Sequence, residues 1–416
     1  MNSNATVLEK RIRSSPTIKL LIAVAFSLFS GLIFSFLPSK ARIFSVNQIL
    51  IPLTDTFTGL ISAVAGPMIF LSVVCGICGV GDTAMLGKIG RKMISRFLLM
   101  NLFLAILVLF IFLPFFNISP SSEEAFDFTS IISLITDIIP KNLFTPFTEN
   151  NPLQIIFISI VTGFAVSNLS ETSKEISQLA ASLNSIIQLI MRFIIKLLPI
   201  FVYLILLQTF LSENITLIIR SYKMLLLSLL GCIFCIIYYL VVLAAKKKVS
   251  PLVFISKALP TFLIGITTAS SVAAFITNSD TCEKDLGIDR DIVDFGIPVG
   301  QIVFTPGFNV IFFAISLCSA ENFGTPITPI WLITCFLIVF ILSIAAPPVP
   351  GGSLTCFTVL FLQLGIPEEA LGVAIALNIF LDFIATSSNL FCLQAELCLL
   401  ADSLSVLSID TLRNKI

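Results

Sequence analysis

Uncharged apolar stretches about as long as the ~20 residues needed to cross a bilayer recur along this sequence, and they confine it to one broad class. Thr17 to Leu37 is the clearest, with no charge after Lys19. A soluble chain of 416 residues would cover its core with charged side chains, yet only 12% of this one is charged against 57% hydrophobic, at a mean hydropathy of +1.06. The sequence reads as a polytopic α-helical membrane protein. The first stretch lies well inside the chain and is followed by similar ones, so it is expected to be a first transmembrane helix and not a cleaved signal peptide.

The 24 basic and 24 acidic residues cancel, so net charge supplies no case for a nucleic-acid partner. Their placement is informative. Lys10, Arg11, Arg13 and Lys19 precede the first apolar stretch, Lys88, Arg91 and Lys92 follow the second, and Lys246, Lys247 and Lys248 follow a later one. These are cytoplasmic ends by the positive-inside rule, whereas Ser119 to Asp127, with Glu123 and Glu124, reads as external. Both termini then lie inside, Arg413 and Lys415 agreeing, with an even number of full crossings. The absence of histidine removes imidazole bases, His-ligated metals and Ser-His triads. Cys75 with Cys78, and Cys232 with Cys235, have the spacing of half a zinc site, but in apolar surroundings a thiol acts as a small packing group.

Apolar spans fall near 17–37, 46–80, 92–117, 129–168 (broken), 176–212 and 216–245. Little polarity interrupts this first part. From Pro251 the segments shorten, Gly, Pro, Ser and Thr break them, and acids stand at membrane depth. Freed backbone groups have no water partner in hydrocarbon, so such breaks persist only where protein or an aqueous cavity covers them. Segments 252–283 and 327–364 each fold most simply as a hairpin entering and leaving on one side. Paired interrupted segments are the strongest sequence pointer to a transporter's binding site.

The first hairpin turns within Thr268 to Ala274, where Ser270 and Ser271 offer hydroxyls and free N–H groups to an anion, or simply permit close helix packing. The second turns within Ala345 to Ser353, where Pro347, Pro348, Pro350, Gly351 and Gly352 cannot continue a helix although the flanks are apolar and uncharged. Between them, Pro298, Gly300, Pro306 and Gly307 predict an unwound stretch within Gly296 to Asn309, with carbonyls suited to a small cation; the alternative is a simple kink. In the last span, Asp382, Thr386 and Asn389 are spaced four and three apart and share one helical face. An acid in so apolar a run costs a few kcal/mol unless it faces a polar site. Glu396 is expected nearer the helix end, within reach of solvent.

Together these residues resemble the dicarboxylate/amino acid:cation symporter family. The likeness runs almost end to end, through Ala65 to Phe70, Gly76, Gly87 to Gly90, the Ser270–Ser271 turn, Ile297 to Gly300, Val349 to Gly352, and Leu381–Asp382 with Thr386 and Asn389. The resemblance implies an all-α membrane fold of eight transmembrane helices and two re-entrant helical hairpins, in a homotrimer, with residues 1–250 mainly scaffold and oligomerisation helices and 251–416 the transport core. The third and sixth helices would move with the transport part. By position, Asp382 would bind a substrate amino group, Thr386 and Asn389 its carboxylate and side chain, and Ser270, Ser271, Val349, Pro350 and Gly351 would close over it. Carbonyls of Gly300, Ile302, Phe304, Ser343 and Ala346, with Asn389, would line positions for a coupling cation, Na⁺ or H⁺. No catalytic residue and no bound cofactor is implied.

The departures matter equally. Phe304-Thr305-Pro306-Gly307-Phe308 stands where the family has Asn-Met-Asp-Gly-Thr, Ala385 where many members place an arginine, Leu393 where they carry a further aspartate, and Met100-Asn101 where a Thr-Ser pair helps bind sodium. Without the guanidinium fork a distal carboxylate loses its partner, so a neutral or small polar amino acid is the expected cargo. The alternatives are a dicarboxylate or acidic amino acid, or an uncoupled uniporter or channel on the same scaffold. One backbone-lined sodium site, or a proton on Asp382, would supply the coupling. The expected location is the plasma (inner) membrane.

Overall fold

The computed structural model describes residues 16–36, 38–81, 87–119, 139–149, 152–167, 169, 173–211, 221–346 and 351–414. Among these the fold is helical throughout, and the β pairing amounts to an isolated bridge between Ile288 and Leu407. Helices of ten residues or more are α1 (Pro16–Ser35), α2 (Ile51–Gly81), α3 (Gly87–Phe112), α4 (Pro152–Ser167), α5 (Ser173–Lys196), α6 (Leu198–Leu211) and α7 (Tyr222–Lys247). They continue as α8 (Pro251–Thr268), α9 (Ser271–Asp280), α10 (Arg290–Val303), α11 (Pro306–Phe323), α12 (Pro329–Ala345), α13 (Leu354–Leu364) and α14 (Glu369–Ser403). Five helical stretches among the described residues are long and apolar enough to cross a membrane: Gly90–Phe115, Tyr222–Lys247, Pro251–Thr268, Arg290–Phe323 and Phe380–Ser403.

Burial separates the chain into a wrapped core and an apolar exterior. Every residue of α11 from Pro306 to Ala320 is buried, and α14 is buried from Ala385 to Ala401. α7, α8 and α11 pack around α14. α1 packs on α6, and α2 on α4 and α5. On the outside, Phe26 and Phe29 of α1, Leu99 and Phe110 of α3, Ile186 and Phe193 of α5, and Ile237 and Val241 of α7 are exposed. An exterior of large apolar side chains over a filled interior is what a hydrocarbon solvent demands.

Several spans differ from the sequence expectation. The stretch 176–212 divides at Leu197 into α5 and α6, because Pro199 has no N–H to continue the first helix and fits the first turn of the second. The first part of the broken 129–168 span, and the external loop from residue 120, lie outside the described residues. Unwinding is narrower than Pro298 and Gly300 suggested. α10 runs through both, and the break is confined to Phe304 and Thr305 (φ/ψ −109°/89° and −129°/56°), with Pro306 opening α11. Gly300 instead permits close packing, since a Cβ there would lie 2.3 Å from Leu393 Cδ1.

Two pairs of helices fold back on themselves. α8 ends at Ala269, which has a left-handed φ of 49°, and α9 starts with the Ser270 hydroxyl accepting from the Ala273 N–H at 3.1 Å. The far ends of this pair come together: Lys257 Nζ donates to the Asp285 carbonyl at 2.8 Å, and the Thr261 and Thr281 hydroxyls are 3.5 Å apart. α12 and α13 form the second pair, closed at its far end by Trp331 Nε1 donating to the Leu364 carbonyl at 2.9 Å. The chain after α14 is fastened beneath the first pair by Lys257 Nζ donating to the carbonyls of Thr411 (2.6 Å) and Leu412 (3.4 Å), and by Arg413 donating to the Lys247 carbonyl at 2.9 and 2.7 Å.

Candidate functional site

Asp382 stands on α14, only 2% exposed, and its carboxylate faces the turn between α12 and α13. The Gly351 N–H donates to one oxygen at 2.8 Å. Ser353 Oγ is 3.0 Å from the other oxygen and 2.9 Å from Asn378 Oδ1. A hydroxyl has a single proton, so the two contacts are completed together either by the Asn378 amide turned to donate or by a proton held on Asp382. Gly351 adopts φ 73°, a conformation that costs glycine little and other residues more. The turn is therefore shaped to bring its N–H onto the acid. Val349 and Pro350, expected in the same tip, lie outside the described residues.

Thr386 and Asn389 are buried on the same helix, one and two turns further on. Asn389 Oδ1 accepts the Gly307 N–H at 2.7 Å, so this side chain caps the first turn of α11 at the break. A Cβ at Gly307 would lie 2.4 Å from the Ala385 carbonyl oxygen and 2.9 Å from its Cα, so α11 and α14 cross backbone to backbone there. Ala385 itself is completely buried. Ser270 and Ser271 are both buried at the turn between α8 and α9, and Ser270 Oγ is engaged as a helix cap. That pair lies against α14 at Gly265, where a Cβ would come within 3.0 Å of Ser387 Cα.

The carbonyls expected to line a cation are unequally free. Gly300 O accepts the Phe304 N–H at 2.9 Å, as the last helical bond of α10. Ser343 O accepts the Thr305 hydroxyl at 2.7 Å. Ile302 O has no helical partner, because the residue four positions on is Pro306. Phe304 opens the break, and Ala346 is buried just past the end of α12. Beside them Asn309 Nδ2 donates to Asn101 Oδ1 at 3.0 Å, Asn101 Nδ2 lies 3.5 Å from Ser343 Oγ, and the buried Asn309 Oδ1 has no partner. One free amide oxygen and the carbonyls at the helix ends, Ile302, Phe304 and Ala346, with no acidic side chain in the cluster, form a donor set without charge for a hard metal cation. No group of three or more His, Cys, Asp or Glu able to hold a metal occurs among the described residues.

Glu396 contradicts its expectation. Its side chain is wholly inaccessible, pairs with Arg96 on α3, and accepts from the Tyr239 hydroxyl on α7 at 2.9 Å. Arg96, Tyr239, Asn378 and Ser353 are the polar partners that sequence reasoning did not place. A basic residue inside an otherwise apolar span was the available signal for Arg96, and the four-residue spacing to Asp382 the signal for Asn378.

The profile of the sodium:dicarboxylate symporter family matches residues 17–396. The chain is 25% identical over 387 residues to the proton/sodium-glutamate symport protein of Bacillus caldotenax, covering 88% of this chain and 91% of that one. It is 27% identical over 359 residues to the C4-dicarboxylate transport protein of Cupriavidus necator, covering 82% of each. A C4-dicarboxylate transport protein of Xylella fastidiosa is 25% identical over 365 residues, covering 83% of this chain and 80% of that one.

Proposed function

The chain belongs to the sodium:dicarboxylate symporter family, a family of membrane transporters and not enzymes, and from that premise we propose that its cargo is a neutral or small polar amino acid taken up with Na⁺ or H⁺. The observation that carries this reading is Asp382, a buried carboxylate held by the α12–α13 turn and paired with no basic side chain among the described residues. An ammonium group displacing the Gly351 N–H and Ser353 hydroxyl would satisfy both the charge and the hydrogen bonds, while the carboxylate of the same molecule would lie toward Thr386 and Asn389. The Ser270–Ser271 turn would cover the opposite side, with the tip at Val349, Pro350 and Gly351 closing above.

The coupling charge acts at one of two places. A proton on Asp382 would complete the contact with Ser353, and a sodium ion would use the carbonyls of Ile302, Phe304 and Ala346 rather than side-chain acids. In the bilayer we read eight full crossings and two re-entrant pairs, α8–α9 and α12–α13, with both termini cytoplasmic, in the plasma (inner) membrane. Residues 1–250 then serve chiefly as scaffold of a homotrimer, and 251–416 as the moving core.

A second reading rests on the relatives, whose names specify glutamate and C4-dicarboxylates. Ala385 speaks against it, since no guanidinium stands at that position to hold a distal carboxylate. Uptake of labelled L-serine, L-glutamate and succinate into proteoliposomes, each under imposed Na⁺ and proton gradients, separates the readings. Gradient-driven accumulation of serine is expected. Accumulation of succinate or glutamate alone would establish the second reading, and flux without accumulation an uncoupled carrier.

A further inference from the structure

Glu396 and Asp382 are both buried acids of α14, yet only one of them has a fixed counter-charge. Arg96 lies six residues into the Gly90–Phe115 span, roughly 9 Å along the helix, where a lone guanidinium would be costly. It is paired there with Glu396, whose second oxygen accepts from Tyr239. This assembly adjoins the break between α10 and α11. The Phe304 ring packs against Phe97, the residue next to Arg96, at 5.9 Å, and edge-on against Tyr239 at 6.1 Å. On the other side of the break the polar groups among the described residues are neutral: Asn101, Asn309, Thr305 and Ser343.

We propose that Arg96 is a tethered cation: its guanidinium supplies permanently, at Glu396 beside the broken helix, the positive charge that a mobile ion would otherwise bring. It acts as a positioning residue and touches no substrate. Charge balance then leaves Asp382, among the described residues, as the one buried acid without a fixed counter-charge, so a mobile cation that neutralises a buried acid in the transport cycle does so there. This last consequence rests on the symport reading above, whereas the tethered charge itself is measurable without any substrate.

The test is the unfolding temperature of purified full-length protein in detergent. Arg96→Ala leaves Glu396 uncompensated beside a vacated space that is part-exposed, since the Arg96 side chain is 28% accessible. It is expected to unfold several degrees below wild type and to recover with low-millimolar methylguanidinium or Na⁺ at constant ionic strength, by a margin that wild type lacks. Adding Glu396→Gln should abolish that cation response. Where Arg96→Ala fails to fold, the pair is read from Glu396→Gln, which strands the guanidinium, against Arg96→Met with Glu396→Gln. The double variant is then expected to be the more stable. A cation response in Arg96→Ala no larger than in wild type, its persistence without Glu396, or a double variant no more stable than Glu396→Gln would each overturn the proposal. Unchanged serine uptake under ion gradients in any of these proteins bears on the transport reading alone.

Discussion

The Gly351 N–H points at the Asp382 carboxylate at 2.8 Å, which joins the turn of one helical pair to the middle of the last helix. Asp382 therefore has two separable duties: accepting hydrogen bonds that hold the turn, and presenting negative charge. Asp382→Asn keeps an acceptor for Gly351 while removing the charge, whereas Asp382→Ala removes both. Hydrogen bonds to a charged group contribute about 1.5–3 kcal/mol each, so the alanine variant should loosen the turn as well as lose ligand. Ligand-induced stabilisation by L-serine is expected to vanish in both, and protease cleavage between Ala345 and Leu354 to rise only in the alanine variant. Wild-type serine affinity in Asp382→Asn would remove the charge from the binding site.

Gly307 permits the crossing of α11 and α14, and its replacement meets backbone rather than a movable side chain. A methyl group there would be 2.4 Å from the Ala385 carbonyl oxygen, and relieving that contact would pull the Gly307 N–H from Asn389. Gly307→Ala is expected to cost about 1–3 kcal/mol, as overpacking of a filled core does. Gly59 is the internal control, exposed on α2 with nothing within 4 Å of an added Cβ. Gly59→Ala should be neutral or stabilising by up to ~1 kcal/mol. Equal melting temperatures for the two variants would show that the helices separate freely at Gly307.

Much of this arrangement is legible in the sequence, and the unread parts have a common cause. Long apolar runs set α3 and α7, which are long and apolar enough to cross a bilayer, because length and apolarity are local properties; the Thr17–Leu37 run forms the helix α1 without being among those five stretches. Asp382 was visible for the same reason, as an acid alone in an apolar run. Pro298 and Gly300 do not break the helix as their residue types predict: α10 runs through both, and Gly300 serves packing against Leu393. The burial of Glu396 is not legible locally, because what buries and neutralises it lies on α3 and α7, far away along the chain. The proline-rich tip announced a turn, but that the turn donates to Asp382 is a fact of tertiary placement.

Lys257 is almost completely buried on α8, and its ammonium donates to carbonyls of Asp285, Thr411 and Leu412. Three protein carbonyls replace the water it gives up, so the side chain works as a clasp between the first helical pair and the chain end. Lys257→Met keeps the stem and removes the donors. The expected result is faster hydrogen exchange across residues 404–414, with α11 unaffected. Unchanged exchange would mean that the Arg413 bonds to Lys247 and the backbone pairing of Val406 to Ser408 with Gly287 to Asp289 hold the segment without Lys257.

Gln394 connects that pair to the last helix from the inside. Its Nε2 donates to Thr261 Oγ1 at 3.0 Å and Asn278 Oδ1 at 2.9 Å, with both amide side chains wholly buried. Gln394→Leu would strand Asn278, whose remaining contact is Cys282 Sγ at 3.7 Å, and stranding a buried polar group costs about 1–3 kcal/mol. Removing both amides together avoids stranding either one by the loss of the other. Asn278→Leu with Gln394→Leu should therefore lose less stability than the two single variants summed, by about 1 kcal/mol or more. A strictly additive cycle in thermal or denaturant unfolding would mean that the two amides do not depend on one another, and that α8 and α9 are held to α14 by packing at Gly265 and Ser387.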